Sequence, residues 1–457
     1  MPIEKNKLKL KQVFDQIEKN DLELIRFLYC NGIDNKIRGK AVQAKNLGSF
    51  IETGVGHPGA LLCFNMADLP VDGRAFTSVG EVRIVPDPDT FGIIPYLPKV
   101  AYMFSDLYKL DKTPWEMCPR YFLKRMIKRA EEKGLIIKAA IENEFYLARK
   151  TDNGFEPFDK SNCYASDGMD YPHTIILDII DALRKQGIKV EQFYSEYGDG
   201  QEEITLVYDD VLKTADNQLI FRETVKGIAQ KHGVYASFAP VPFLGQSGNG
   251  SHIHLSVWDK ETGTNLFSDP DDKYWLSKQG YWFIGGLIKH IQGLLALTAS
   301  SVNSYRRLQP EKLSSAFVCY GPDNREAAVR IASPFWGREA DSINIEYRAS
   351  DVSANPHIAL GSLIAAGLDG MEKKMESGEP LLTDPAWLSE EERKQKGIEK
   401  YPISLDLALN ELEKDEFLLE ALGVVLAKEY LLIKRADCEL FKGEDEAFEI
   451  DLHFYKY

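Results

Sequence analysis

The sequence predicts an α+β protein of two domains, and three observations carry that prediction. The chain has 457 residues, beyond the ~250–300 at which a single core stops growing. Short apolar runs between turn-rich segments fill residues 20–105, and the texture changes after Asp111-Lys-Thr-Pro114. Beyond that point strand-like and helical stretches are joined by long connections, which favours segregated α+β architecture over a doubly wound sheet. The boundary is placed near residue 106, giving a small domain over 1–105 and a larger one over 106–457.

Residues 1–11 are polar and lysine-rich, with no apolar signal segment. Residues 25–29 and 81–86 read as strands, bounded by the turn signals Asn31-Gly32 and 54–59. Thr113 is expected to cap a helix with Pro114 in its first turn, and apolar spacing through Phe122, Met126 and Ala130 carries that helix to Gly134. Helical periodicity over 173–186 stops at Gly187, before a strand over 188–194. Residues 217–232 repeat the theme, ending at Gly233 before a strand over 234–238. The most apolar long stretch, 281–299, is interrupted by Lys289, His290 and Gln292, so it reads as a buried helix rather than a membrane span. Residues 372–400 are highly charged and expected to be exposed.

Lysine plus arginine is 55 and aspartate plus glutamate is 70, a net charge of −15. Such a surplus disfavours a protein that binds a nucleic-acid backbone, which needs clustered positive charge. It leaves room for a local basic pocket for a nucleotide. The six cysteines include no CxxC pair, which argues for reduced thiols and against a zinc knuckle or disulfide framework. The expectation is a cytoplasmic protein with neither nucleic acid nor membrane as partner.

Several strand-like segments carry polar groups where a core strand would not. In residues 136–147 the period of two puts Glu142 and Glu144 on one face. Two neighbouring carboxylates repel, and a hard divalent cation such as magnesium or manganese would relieve the repulsion. A solvated strand face is the ordinary alternative. Residues 248–256 repeat the geometry with imidazoles, His252 and His254 sharing a face. Either both are metal ligands, or one contacts a phosphate or base, or both are structural. Residues 196–203 form an acidic turn after an apolar strand, most simply an exposed loop. Residues 343–348 place Glu346 and Arg348 on one strand face, and Arg306, Arg307, Arg325 and Arg330 concentrate positive charge in an acidic chain. Arginine suits bidentate capture of carboxylate or phosphate. Together these signals describe a polyacid metal site facing an arginine-lined anion site, as phosphoryl transfer requires.

The order Glu142-Asn-Glu144-Phe, Glu196 then Gly200-Gln201-x-Glu203, Gly248-x-Gly250-x-His252-x-His254-x-Ser256, Arg306-Arg307-Leu308-x-Pro310, Asn324-Arg325-Glu326 then Arg330, Ile345-Glu346-Tyr347-Arg348 and Asn355-Pro356 resembles the glutamine synthetase family from about residue 20 to the C-terminus. The resemblance implies an N-terminal β-grasp domain and a glutamine-synthetase-type catalytic domain. It also implies a ring assembly, commonly a homo-dodecamer, with active sites between subunits. It implies Glu144, Glu196 and Glu203 as ligands of one ion, and Glu142, His252 and Glu346 as ligands of a second, with two or three Mg2+ or Mn2+ ions per site. His254 and Ser256 match nucleotide contacts, and Arg307, Arg348 and Gly248 match the glutamate site. Arg325 and Arg330 match catalytic arginines that stabilise phosphate charge. The implied activity is ATP-dependent carbon–nitrogen ligation: ATP phosphorylates the side-chain carboxylate of glutamate, and ammonia or an amine then displaces phosphate.

Three departures from the pattern bear on the acceptor. The glutamate expected six residues after Arg307 is Leu313, with Glu311 nearby. The aspartate expected near the Arg38-Gly39-Lys40 segment is replaced by Asn31 or supplied by Asp34, and Ser247 stands where asparagine is expected. Leucine removes the charge that attracts ammonium and adds an apolar wall, so the acceptor is expected to be a small organic amine. An ordinary glutamine synthetase with a rearranged loop, or a catalytically silent relative, are the alternatives. No Asn-Leu-Tyr segment occurs near 381–400, so tyrosine adenylylation is not expected, Tyr401 being the nearest candidate.

Overall fold

The computed structural model describes the backbone of residues 2–457 except Gly32, Asp34 and Asn153, and side chains from Leu8 onward. Among the described residues the smaller sheet has six strands: β1 (Leu24–Cys30), β2 (Ile37–Gln43), β3 (Val55–Pro58), β4 (Glu81–Pro86), β5 (Gly92–Ile93) and β6 (Val100–Tyr108). Their order is β2-β1-β6-β4-β3, with β5 on β6. β1 and β4 alternate buried and accessible residues, as strands covered on one face do. The central β6 is buried along nearly its whole length. Residue 106, where the boundary was placed, lies inside β6.

The larger sheet contains β7 (Leu135–Thr151), β8 (Gly154–Pro157), β9 (Val190–Ser195), β10 (Gln201–Leu206), β11 (Asp209–Asp210), β12 (Tyr235–Ser237), β13 (Ile253–Asp259), β14 (Phe317–Pro322), β15 (Ala327–Ala332) and β16 (Asn344–Tyr347). They run in the order β14-β15-β16-β13-β7-β10-β9, with β8, β11 and β12 also on β7. β7 is the spine: its first half pairs with β13, its middle with β10 and its end with β8 and β12. Behind the sheet, helices Lys278–Thr298 and Pro356–Lys373 cross at backbone contact. A Cβ on Gly286 would strike the Ala366 carbonyl, and one on Gly370 the Trp282 carbonyl, so this crossing needs both glycines. One apolar core runs without a break from Ile25 and Phe27 of the small sheet through Trp115 and Phe122 to Ile345 and Leu363.

The α+β prediction holds, with differences in detail. The helix expected from Thr113 starts at Pro119, capped by Cys118. Thr113 instead closes a turn, its N–H and hydroxyl both donating to Asp111 at 2.9 and 2.6 Å. Proline suits the first turn of a helix at either position, and the Asp111 turn decides between them. The helix expected from 217 begins at Val211, because buried residues surround its first turns and leave no apolar stripe to mark the start. The apolar stretch near 281–299 is the buried helix Lys278–Thr298, and no helix among the described residues is long and apolar enough to cross a membrane.

Candidate active site

Strand register assembles the polar residues. Glu144 on β7 lies opposite Glu203 on β10, and Glu142 opposite Thr205, so the three carboxylates share one face. His254 pairs with Glu346 across β13 and β16, and Arg330 pairs with Glu346 across β15 and β16. His252 precedes the first residue of β13, yet its carbonyl accepts from the Glu142 N–H at 3.0 Å and extends the ladder. The acidic turn is no exposed loop: Glu203 is buried in β10, and Glu196 is half-buried at the end of the turn.

The imidazoles and carboxylates converge closely. His252 Nδ1 lies 3.1 Å from Glu142 Oε2, 3.4 Å from Glu346 Oε1 and 3.8 Å from Glu144 Oε1. His254 Nε2 lies 2.9 Å from Glu142 Oε1, and its Nδ1 is 2.7 Å from Asn344 Oδ1. The Asn344 amide nitrogen donates to the Ser342 carbonyl at 2.9 Å, which turns Oδ1 toward His254. Nδ1 is therefore the donor, and Nε2 is aimed at the carboxylates. Ligand atoms of Glu142, His254 and Glu346 all lie within 4.8 Å of one another. His254, expected only at the nucleotide, thus also faces the pair of glutamates assigned to the second ion.

Electrostatics follow from crowding. Burial and the charge of Glu196 push the Glu144 carboxyl up to about 8, although the Gly250 N–H donates to it at 2.8 Å. Burial, then Glu142 and Glu144, push Glu203 well above the usual carboxylate range, and burial also raises Glu196. Burial pushes Glu142 up too, but His254 and His252 outweigh it and hold this carboxyl well below its ordinary value. Burial and Arg348 push His252 down to about 4. Glu203 Oε1 is buried without a hydrogen-bond partner. A cluster of oxygen donors with two imidazoles and an orphaned oxygen fits a hard divalent cation.

The arginines divide. Arg307 is buried; its Nη2 donates to the Ser350 carbonyl at 2.8 Å, while its Nε makes no hydrogen bond and lies 4.0 Å from Asp351 Oδ2. Gly248 packs on it, since a Cβ there would meet Arg307 Cγ at 2.5 Å and the Pro240 carbonyl at 2.6 Å. Arg330 Nε stands 2.7 Å from Glu346 Oε2. Arg348 donates to Glu346, to the Arg325 carbonyl at 2.8 Å and to the Leu313 carbonyl at 2.8 Å. The Arg325 side chain is exposed. Arg306 is not brought to the site; it binds Glu449 and Glu446 at 2.8 and 2.9 Å. Ser256 Oγ accepts from Trp258 Nε1 at 2.8 Å, and the Lys138 ammonium lies 3.9 Å over the Trp258 ring.

The rim segment expected to face the acceptor is a loop. Glu311, Leu313 and Ser315 all have positive φ, and Leu313 is 55 % exposed. Its N–H donates to the buried Glu326 Oε1 at 2.7 Å. Asn31 is fully buried and its side chain closes its own turn, accepting from the Ile33 N–H at 3.3 Å; Asp34 lies outside the described residues. The Ser247 carbonyl accepts from the Tyr146 hydroxyl at 2.6 Å. Tyr401 is buried, its hydroxyl 2.7 Å from Ser315 Oγ.

Sequence reasoning missed four supporting residues. Gln201 donates to Glu144, the Gly248 carbonyl and Asn249 at 3.2, 3.1 and 3.0 Å. Asn344 sets the His254 tautomer, Tyr164 reaches Glu196 at 3.4 Å, and Glu326 holds Leu313. Gln201, Glu326 and Asn344 stood inside segments already noted, Asn344 two residues before Glu346 on the same strand face; Tyr164 had no local signal.

Residues 8–115 match the glutamine synthetase N-terminal domain and residues 116–453 the glutamine synthetase catalytic domain. The chain is similar to the glutamine synthetase of Methanocaldococcus jannaschii, 33% identical over 450 residues that cover 95% of this chain and 96% of that one. It is similar to that of Pyrococcus abyssi, 35% identical over 416 residues that cover 91% and 89%. Among solved structures, one described as a novel glutamine synthase homolog superposes with a TM-score of 0.85 at 28% identity, covering 95% and 99%. Ligand-free GmaS superposes with a TM-score of 0.83 at 30% identity, covering 95% and 97%. Both matched domains and the site carried by the second lead to one conclusion: the chain belongs to the glutamine synthetase family of ligases, which use ATP with Mg2+ or Mn2+.

Proposed function

We propose that the chain ligates glutamate to a small organic amine, forming a γ-glutamyl amide at the cost of ATP. The observation that carries this reading is the contrast at one site. The carboxylate–imidazole cluster is complete, while the loop expected to supply an acceptor carboxylate presents Leu313. A carboxylate attracts ammonium and takes its proton; a half-exposed leucine favours the apolar part of a larger amine instead.

In this reading Glu144, Glu196 and Glu203 hold one divalent ion and Glu142, His252 and Glu346 another, with His254 beside the second. Ions held there neutralise charge between the ATP phosphates and the attacking carboxylate. His254 and Ser256 face the nucleotide. Arg307, whose buried Nε makes no hydrogen bond, pairs with a carboxylate of glutamate against the wall that Gly248 leaves open. Arg348 bridges the site and its rim, and exchanges one of its bonds when substrate arrives. Arg330 and Arg325 stabilise charge on the transferred phosphoryl group. The γ-phosphoryl passes to the glutamate side chain, the amine nitrogen attacks the activated carbonyl, phosphate leaves, and the amine's surplus proton goes to a neighbouring base or water.

Ammonia is the second reading, favoured by the name its curated relatives carry. Phosphate release with glutamate, ATP and Mg2+ across ammonium and a panel of primary amines, with products identified by mass, separates the two. A clear ammonium preference in kcat/KM overturns the amine reading. We further propose a ring assembly, a homo-dodecamer with sites between subunits, tested by native mass spectrometry. Glutamate and ATP as substrates favour a cytoplasmic location, tested by fractionation.

A further inference from the structure

The face of β10 turned away from the active site holds a second, unused carboxylate. Glu202 lies opposite Phe145 on β7 and Ser195 on β9, on the side packed with Phe145, Ile176, Ile179 and Ile204. It is 0 % exposed, and neither carboxylate oxygen has a hydrogen-bond partner. The charged group acting on it is Asp159, also an acid. One Asp159 oxygen is occupied, accepting from the Ser161 N–H at 2.9 Å and the Ser161 hydroxyl at 2.7 Å; the other, Oδ2, is buried without a partner. Ser161 Oγ in turn lies 3.2 Å from Ser195 Oγ. Gly168 closes over both serines, since a Cβ there would come within 2.7 Å of each hydroxyl.

Buried polar atoms are nearly always partnered, and a buried carboxylate with neither donor nor counter-charge is costly. Here three carboxylate oxygens from two acids are left without partners, and the acids are linked through Ser195, opposite Glu202 on the ladder, and Ser161, which bonds Asp159. We infer that Glu202 and Asp159 bind a hard divalent cation, Mg2+, Mn2+ or Ca2+, with Ser161 and Ser195 as neutral oxygen neighbours. An all-oxygen donor set suits hard cations. The site is separate from the cluster around Glu142, because alternate residues of a strand point to opposite faces. Its occupant fixes the turn that carries Glu196, Gln201 and Glu203, and so acts as a structural ion behind the catalytic one. The inference does not depend on whether the acceptor is ammonia or an amine.

Anomalous diffraction from crystals of the full-length protein soaked in Mn2+ tests it. The expected map has a peak between Glu202 and Asp159 in addition to peaks at the Glu142 cluster. In Glu202→Gln the first peak is lost while the others remain, and the ion content after gel filtration falls by one per protomer. Peaks at the Glu142 cluster alone in the wild type would assign the two acids to a proton-sharing pair and overturn the inference. A peak that persists in Glu202→Gln overturns it as well. Should that variant fail to fold, the wild-type map decides alone, with Asp159→Asn as the second variant.

Discussion

The floor of the site and its acceptor rim are built on different physics. The floor stands on five strands whose registers place Glu142, Glu144, Glu203, His254, Arg330 and Glu346 within a few residues of one another. Every position is set by ladder hydrogen bonds, and a one-residue slip would turn the whole set to the opposite face. The rim is the loop 308–316, where three non-glycine residues take positive φ and isolated bonds to Arg348, Glu326, Arg307 and Tyr401 replace a ladder. Chemistry common to a family belongs on the ladder, where substitution is costly. On the proposed reading, selection among acceptors falls to the loop, where a change of residue leaves the floor intact.

The comparison makes its largest claim about the floor. Glu144→Ala removes a ligand between two strands and is expected to lower kcat roughly 100- to 1,000-fold, with circular dichroism and Tm close to the wild type. Near-normal turnover at saturating Mg2+ would remove Glu144 from the site. Arg330→Ala comes next: about a 100-fold loss in kcat with a largely unchanged KM for glutamate. A loss confined to glutamate binding would contradict its assignment to the phosphoryl group.

At the rim, Leu313→Glu is expected to raise kcat/KM for ammonium relative to organic amines by about tenfold, since one charge at a binding wall changes selectivity on that scale. An unchanged ratio would place acceptor choice elsewhere. Glu326→Ala takes the acceptor from the Leu313 N–H, which water can partly replace at this half-exposed residue, a net cost of ~0.5–1.5 kcal/mol. Faster hydrogen exchange at that amide and a higher KM for the acceptor, with the KM for ATP unmoved, are the expected readouts; a matching rise in the KM for ATP would show that rim and floor are not independent.

The smallest effect lies remote from both regions. His290 Nδ1 is 2.7 Å from Asp415 Oδ2, and its Nε2 is 3.2 Å from Asp369 Oδ2. Burial opposes its charge, but the bond to Asp415, and then Asp369, raise its pKa above the ordinary histidine value. A raised folded-state value contributes stability that is full below the unfolded pKa of ~6.5 and is lost as pH rises through the folded value. The Tm difference between wild type and His290→Phe is therefore expected to be largest in mild acid and to shrink toward alkaline pH. A difference independent of pH would remove the ionic contribution.

Legibility tracked locality. Glu142 and Glu144, or His252 and His254, reveal themselves through a spacing of two, because strand geometry is written into adjacent residues. Glu202 and Glu203 were indistinguishable in the same acidic turn; burial and strand pairing send one toward the catalytic cluster and the other into the apolar side of the sheet. Arg306 and Arg307 are neighbours in sequence, but one binds the C-terminal helix and the other the substrate side. Pro114 marked a helix start in the sequence, but the turn at Asp111 engages Thr113 and the helix begins at Pro119.

The sequence by itself determined the α+β class, the family, and the residue types that gather the metal, nucleotide and anion chemistry, because motif order and strand periodicity are properties of the chain. Tertiary structure alone decided that His254 joins Glu142 and Glu346, that Arg348 ties the floor to the rim, and that Glu326 carries Leu313. Each of those depends on side chains from strands or loops far apart in sequence, whose meeting is set by register and packing rather than by any local pattern.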